Sequence, residues 1–312
     1  MLDNLLFCLN ATVPIFLLMV LGYIFKATHI FNTELTKGIN NFVFKVALPV
    51  LVYKELATSD VNEIWDTGFV LFCFFATLGS ISIAFLVSLF FKDKSVRPEF
   101  IQGSLRSSAA LLGVGIAINI YGDAGMTPLM MIGAVPLYNI LAVVVLTLGK
   151  SDGSLTPKVI RKTLFGIITN PIIIAIILGL VRAMIPAPIL LPKTLGYVSN
   201  LATPLGLMAL GASFEFKEAI GKLAPTLWAT AFKLVIFSAL WLPLAISLGY
   251  THDKLIAVLI MTGSSTTVSS FVMAKSMGYN GTVSAGIVML TTVLSAFTLT
   301  LWLYILKSAG LL

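Results

Sequence analysis

Residues 262–270 carry seven hydroxyls in nine positions: Thr262, Ser264, Ser265, Thr266, Thr267, Ser269 and Ser270. Gly263 sits among them, and the flanks are apolar, KLIAVLI before and FVMA after. A second, sparser group is Arg106, Ser107 and Ser108, followed by Gly113 and Gly115. A hydroxyl both donates and accepts hydrogen bonds, and a guanidinium offers five donors in a fixed fork that suits a carboxylate. These types together suit holding an oxyanion rather than breaking a bond. The alternative is that such small residues only let helices pack closely and bond to one another.

Catalytic constellations are absent from the sequence. It contains no HExxH, CxxC, Walker loop or GxSxG. His29 and His252 fall on opposite sides of the membrane in the topology derived below, so they share no metal. Cys8 and Cys73 lie in apolar runs and read as small packed hydrophobes. We therefore expect no enzyme activity, no cofactor and no metal. The net charge of +7 is scattered between apolar runs, which argues for membrane topology over nucleic acid.

The elements that position these residues are membrane helices. Of 312 residues, 58% are hydrophobic and 11% charged. The mean hydropathy is +1.02. A hydrocarbon core of about 30 Å takes roughly 20 apolar residues per helix. The sequence predicts ten spans: about 4–26, 34–55, 67–91, 100–121, 126–149, 163–185, 194–214, 223–249, 254–276 and 282–306. The start, MLDNLLF, reads as part of the first span rather than a signal peptide. With the N-terminus outside, the inner side takes twelve Lys and Arg residues, the outer side five, and three lie within spans. The positive-inside rule then places both termini outside, in the cytoplasmic membrane. Residues 150–162, KSDGSLTPKVIRK, form the longest polar connection and divide the chain into halves 1–149 and 163–312.

The three cations within spans are Arg106, Lys45 and Lys233. Intramembrane charges mark functional sites by default. Glu55, Glu99, Asp123 and Asp253 fall near predicted helix ends, so no carboxylate shares that depth. Buried cations without buried acids favour an anionic substrate. The structural alternatives are that Arg106 snorkels to the surface and that the two lysines bond the carbonyls of a broken helix. Asn119 and Asn139 are polar candidates in the same layer, and Asn139 follows Pro136 closely enough to face an opened backbone.

The halves also match each other. Pro14 and Pro171, Gly22 and Gly179, Ser107 and Ser264, Ser108 and Ser265, Ala117 and Ala274, and Lys150 and Lys307 are all 157 residues apart. Pro49 and Pro204 are 155 apart. One register kept from first span to last predicts a duplicated unit. Each unit has five spans, so the second copy enters the membrane inverted, as in secondary transporters. Spans four and nine, rich in Gly and Ser at matched positions, are expected to break near the midplane and cross there.

The runs PIFLLMVLGYIFK, FVFKVALPVLVY, VPLYNILAVVVL, TNPIIIAIILGLV, ATPLGLMALGASF and SSFVMAKSMGYN, in that order, resemble the auxin efflux carrier family. That family includes bacterial malate permeases and malonate carriers. The resemblance covers all ten spans. It implies an all-α fold similar to sodium/proton antiporters and bile acid transporters, with inverted five-helix repeats. It also implies a scaffold of spans one, two, six and seven, often dimeric, and a transport domain of spans three to five and eight to ten that moves as an elevator. Where many members have Pro at each crossover and Asn nearby, this sequence has Gly115 and Ser265, and Ser108 and Ser269. The expected activity is carriage of a small organic anion such as malate or malonate, with Arg106, Ser107, Ser108, Gly113, Gly115, Asn139, Lys45, Lys233, Ser264, Ser265, Thr266, Thr267 and Ser269 as the binding set. Another weak acid such as auxin, or a sensor on a transporter fold, are the rival expectations.

Overall fold

The computed structural model describes residues 14, 17–57, 65–109, 114–121, 125–150, 161, 164–166, 168–184, 192–214 and 220–312. Among these the chain is all-helical apart from one isolated antiparallel bridge. In chain order, α1 is Leu17–Ala27. Helix α2 runs through Thr33–Phe42, a π-turn at Val43–Ala47 and Leu48–Ala57. Next come α3, Thr67–Ser88; α4, Arg97–Leu105; α5, Val114–Tyr121; and α6, Thr127–Leu148. The second half holds α7, Pro171–Met184, and α8, Pro192–Ser213. Helix α9 joins Leu223–Ala231, a π-turn at Phe232–Ile236 and Phe237–Ser247. Last are α10, His252–Gly263; α11, Ser269–Ser276; and α12, Thr282–Ser308.

Among the described residues, five helices are long and apolar enough to cross a membrane: Thr33–Lys54, Thr67–Ser88, Thr127–Leu148, Leu223–Ser247 and Thr282–Ser308. Their lengths, 22 to 27 residues, give about 33–40 Å at 1.5 Å per residue. Start signals are local. The Asn32 side chain accepts from the amide of Leu35 at 2.7 Å, and Asp66 accepts from Phe69 at 3.0 Å. The start of α12 is held from another element. The buried Glu99 carboxylate of α4 accepts from the amides of Gly281 at 3.2 Å and Ser284 at 2.8 Å. A carboxylate suits that end because free N–H groups and the positive end of the helix dipole converge there.

Two hydrophobic clusters form the interior. One joins α3, α4, α6, α9, α10 and α12 around Phe69, Phe100, Phe237 and Leu259. The other joins α1, α2, α7, α8 and α11, with faces of α6 and α12, around Met19, Leu56, Ile172 and Phe271. Glycines set the spacing in the second. A Cβ on Gly22 of α1 would collide with the Met208 carbonyl, and one on Gly211 of α8 would collide with the Met19 carbonyl. These helices therefore cross backbone to backbone. Gly179 of α7 makes a similar approach to α2, where a Cβ would come within 2.9 Å of Leu56 Cβ and 3.2 Å of the Tyr53 carbonyl.

The predicted fourth and ninth spans are each two short helices. Helix α4 ends where Arg106 turns extended (φ −73°, ψ 128°), and α10 ends where Ser264 does the same (φ −77°, ψ 164°). Between the breaks, Ser107 pairs with Thr266 in the antiparallel bridge, and the Ser108 amide donates to the Ser265 carbonyl at 2.9 Å. Gly115 is not at this turn. It is the second residue of α5, because the break is made upstream by the extended backbone at Arg106 and Ser107. Gly113 lies outside the described residues.

Candidate functional site

A broken helix buried in protein must find partners for the backbone groups it frees. Here each break supplies the other. The Thr266 hydroxyl donates to the Gly103 carbonyl of α4 at 2.8 Å, and the Ser107 hydroxyl donates to the Met261 carbonyl of α10. Three neighbours complete the set. Thr291 Oγ1 of α12 accepts from the Thr266 amide at 3.0 Å, Gln102 Nε2 donates to the Ser270 carbonyl at 2.9 Å, and Lys233 Nζ donates to the Met261 carbonyl at 2.9 Å. The hydroxyl run thus stands in for the helical hydrogen bonds it interrupts.

Beside the bridge is a cavity of about 220 Å³. Arg106, Ser107, Ser108, Tyr138, Asn139, Thr267 and Ser269 line one wall, with Ala109 and Val135. Leu48, Leu51 and Val52 of α2, Ile172 of α7 and Thr203 of α8 line the other. The cavity therefore lies on the seam between the two clusters. Its volume is below the range of about 300–1,000 Å³ that takes drug-sized ligands, which fits a small solute.

Arg106 dominates this wall. It is 1% exposed, so it does not snorkel. Its Nη2 donates to Asn139 Oδ1 at 2.7 Å and Ser269 Oγ at 2.6 Å. Nη1 donates to Gln102 Oε1 at 3.4 Å and packs on Met273 Sδ. The guanidinium carbon lies 5.7 Å from the centre of the Tyr138 ring. Nε has no partner. Asn139 is set by the proline one turn earlier. Its Nδ2 donates to the Val135 carbonyl at 2.9 Å, next to Pro136, which leaves Oδ1 for the arginine. Every acceptor on Arg106 is neutral.

Among the described residues Lys233 is the other buried cation, 0% exposed and on the π-turn of α9. Its ammonium donates to Ser107 Oγ at 2.7 Å as well as to the Met261 carbonyl. It does not line the cavity of Arg106. The carbonyl-bonding role weighed for it from sequence is the one its geometry fits.

The remaining expected residues divide three ways. Ser108, Thr267 and Ser269 face the cavity with Arg106, Ser107 and Asn139. Ser264, Ser265 and Thr266 are buried behind it, the last two in the bridge and the Ser264 hydroxyl without a partner. Lys45 is exposed and is not brought to the site, because the π-turn of α2 presents it on the outer face while Val43, Phe44 and Ala47 face inward. Sequence reasoning missed Gln102, Tyr138, Thr203 and Met273. Gln102 is four residues before Arg106, one helical turn away, and that spacing was a usable signal.

A family model described as "Membrane transport protein" matches residues 7–303. A protein of Rhizobium meliloti described as "Putative malonate transporter" is 24% identical over 96% of this chain and 95% of its own length. An uncharacterized transporter of Methanothermobacter thermautotrophicus is 21% identical over 95% of this chain and 98% of its own length.

Proposed function

We propose, from the premise that this chain belongs to the membrane transport protein family, the auxin efflux carrier family, that it is a secondary carrier of a small dicarboxylate such as malonate or malate. One observation carries the substrate class: the cavity holds a fully buried guanidinium whose partners are all neutral. An uncompensated ion out of water costs several kcal/mol. A bound carboxylate supplies the missing charge and takes the uncommitted guanidinium donors. Ser108, Thr267 and Ser269 are placed for its oxygens, and a second carboxylate of a short diacid remains within reach of the same wall.

The mechanism we infer is alternating access by ten spans in two inverted halves. Three pairings support the inversion. Gly22 and Gly179, 157 residues apart, make equivalent backbone approaches, one from α1 to α8 and one from α7 to α2. The breaks cap one another's freed carbonyls reciprocally. Two ion pairs among the described residues, Lys254–Asp66 at 2.6 Å and Lys222–Asp93, also exchange under that shift. It carries Asp66 to within one residue of Lys222, and Lys254 to within four of Asp93. Each pair ties two helices of the first cluster, which suits a body that moves as a unit past α1, α2, α7 and α8. The N-out topology follows from the lysine and arginine count.

Uptake of labelled malonate and malate into proteoliposomes tests this reading. Saturable uptake is expected, and Arg106→Gln is expected to reduce affinity by at least about thirtyfold, from a loss of about 2–5 kcal/mol for breaking a buried charged pair. Absence of carboxylate uptake by the folded native chain refutes the carrier assignment. Tight malonate binding without flux would reassign the fold to sensing.

A further inference from the structure

A second cavity, of about 630 Å³, opens within the second cluster, between α1, α2 and the end of α8 on one side and the end of α11 on the other. Lys26, Lys37 and Lys275 line it, and its described lining contains no Asp or Glu. Lys26 Nζ donates to Thr33 Oγ1 at 3.0 Å and Lys275 Nζ to the Asn280 carbonyl at 2.9 Å, so each keeps further protons for another acceptor. The buried Glu99 carboxylate lies behind Lys275, but three ammonium groups against that one acid leave a net positive potential in the cavity.

Asn40 points to a ligand independently. It is 5% exposed, its Oδ1 has no partner, and its Nδ2 is 3.5 Å from Ser276 Oγ, the limit of a hydrogen bond. A half-turn of the amide lets the Ser276 hydroxyl donate to Oδ1 and leaves Nδ2 as a donor without a partner, on a residue of the cavity lining. That donor and the lysines match the acceptor oxygens of an anion. Asn40 is eight residues before Leu48 on α2, about 12 Å along the helix, so this cavity and the one at Arg106 are distinct but share a wall.

We propose that this lysine-lined cavity is a second oxyanion-binding site, for a carboxylate or a phosphate, about 12 Å along α2 from the cavity of Arg106. The oxyanion comes either from the soluble dicarboxylate, held before or after its passage, or from an anionic lipid headgroup. Only its part in substrate passage rests on the transport reading. The anion chemistry of the site does not.

The test uses the full chain carrying Arg106→Gln, which disables the central cavity, with and without Lys26→Gln, Lys37→Gln and Lys275→Gln. The three lysines are exposed, so the fold should tolerate their neutralisation. Labelled malonate binding is measured in phosphatidylcholine nanodiscs, and retention of phosphatidylglycerol by native mass spectrometry after mixed-lipid nanodiscs. Removing three lysines should weaken whichever ligand is native by about a hundredfold. Asn40→Ala should weaken the same ligand by a smaller factor. Malonate binding lost in the triple variant identifies a soluble ligand, and phosphatidylglycerol retention lost identifies a lipid. If neither ligand distinguishes the triple variant from its parent, the site is refuted. That outcome leaves Arg106-dependent uptake by the native chain untouched, and failed uptake leaves this binding result standing.

Discussion

Arg106 and Lys233 are both fully buried cations with only neutral partners, yet they face different things. Arg106 stands at the rim of a cavity, among side-chain hydroxyls and amides that can rearrange around a guest. Lys233 is aimed at a backbone carbonyl and the serine that already bonds it. Burial of a charge therefore does not by itself mark a ligand. The deciding feature is whether its acceptors are spare groups around a void or backbone groups that folding must satisfy anyway. Ser107 is where the two roles meet: its hydroxyl accepts from Lys233, donates to the Met261 carbonyl, and its residue lines the cavity.

The sharpest test of that contrast is affinity. Arg106→Gln should cost at least about thirtyfold in malonate binding, whereas Lys233→Met should leave it within about twofold. Equal losses in both variants would erase the distinction. Stability should separate them in the opposite sense. Lys233→Met removes a donor from a buried carbonyl and should lower unfolding stability by about 1–3 kcal/mol, read as a lower Tm in detergent. Ser107→Ala should fall between the two, with about 1 kcal/mol lost in both binding and stability, because one hydroxyl serves both networks.

The smallest effect belongs to charges at the membrane surface. The Lys222 ammonium beside Asp93, helped by Ser95, holds that carboxyl down at about 2, below its ordinary 3.8. A folded-state value depressed in this way contributes stability above about pH 4 and loses it as pH falls toward 2. Both side chains are more than a third exposed, so the contribution is only about 0.2–1 kcal/mol. Asp93→Asn should lower Tm slightly at pH 5, and the difference from the native chain should shrink by pH 3.

Much of this arrangement was legible in the sequence. Apolar runs 67–91, 126–149 and 282–306 correspond to α3, α6 and α12, because about 20 apolar residues in a row leave a helix as the simplest way to satisfy the backbone in lipid. The hydroxyl run at 262–270 marks the place where a helix stops, since Ser and Thr offer the backbone alternative partners. Individual roles were less visible. Thr266 and Thr267 are neighbours of similar type, but one bonds the Gly103 carbonyl and the other faces the cavity. In an extended segment successive side chains point to opposite sides, and only the partner segment determines which side is open.

Composition and spacing alone determined that this chain is a bundle of apolar helices with matched polar interruptions, because the hydrophobic length needed for a membrane and the chemistry that interrupts a helix are both local properties. Tertiary structure decided which cation faces the cavity, which one braces the crossing, and that Lys45 does neither. It also brought Glu99 to the start of α12 and Asn40 to Ser276, pairs separated by 182 to 236 residues. Those outcomes depend on how distant helices pack, and a buried charge takes its role from the groups that packing places around it.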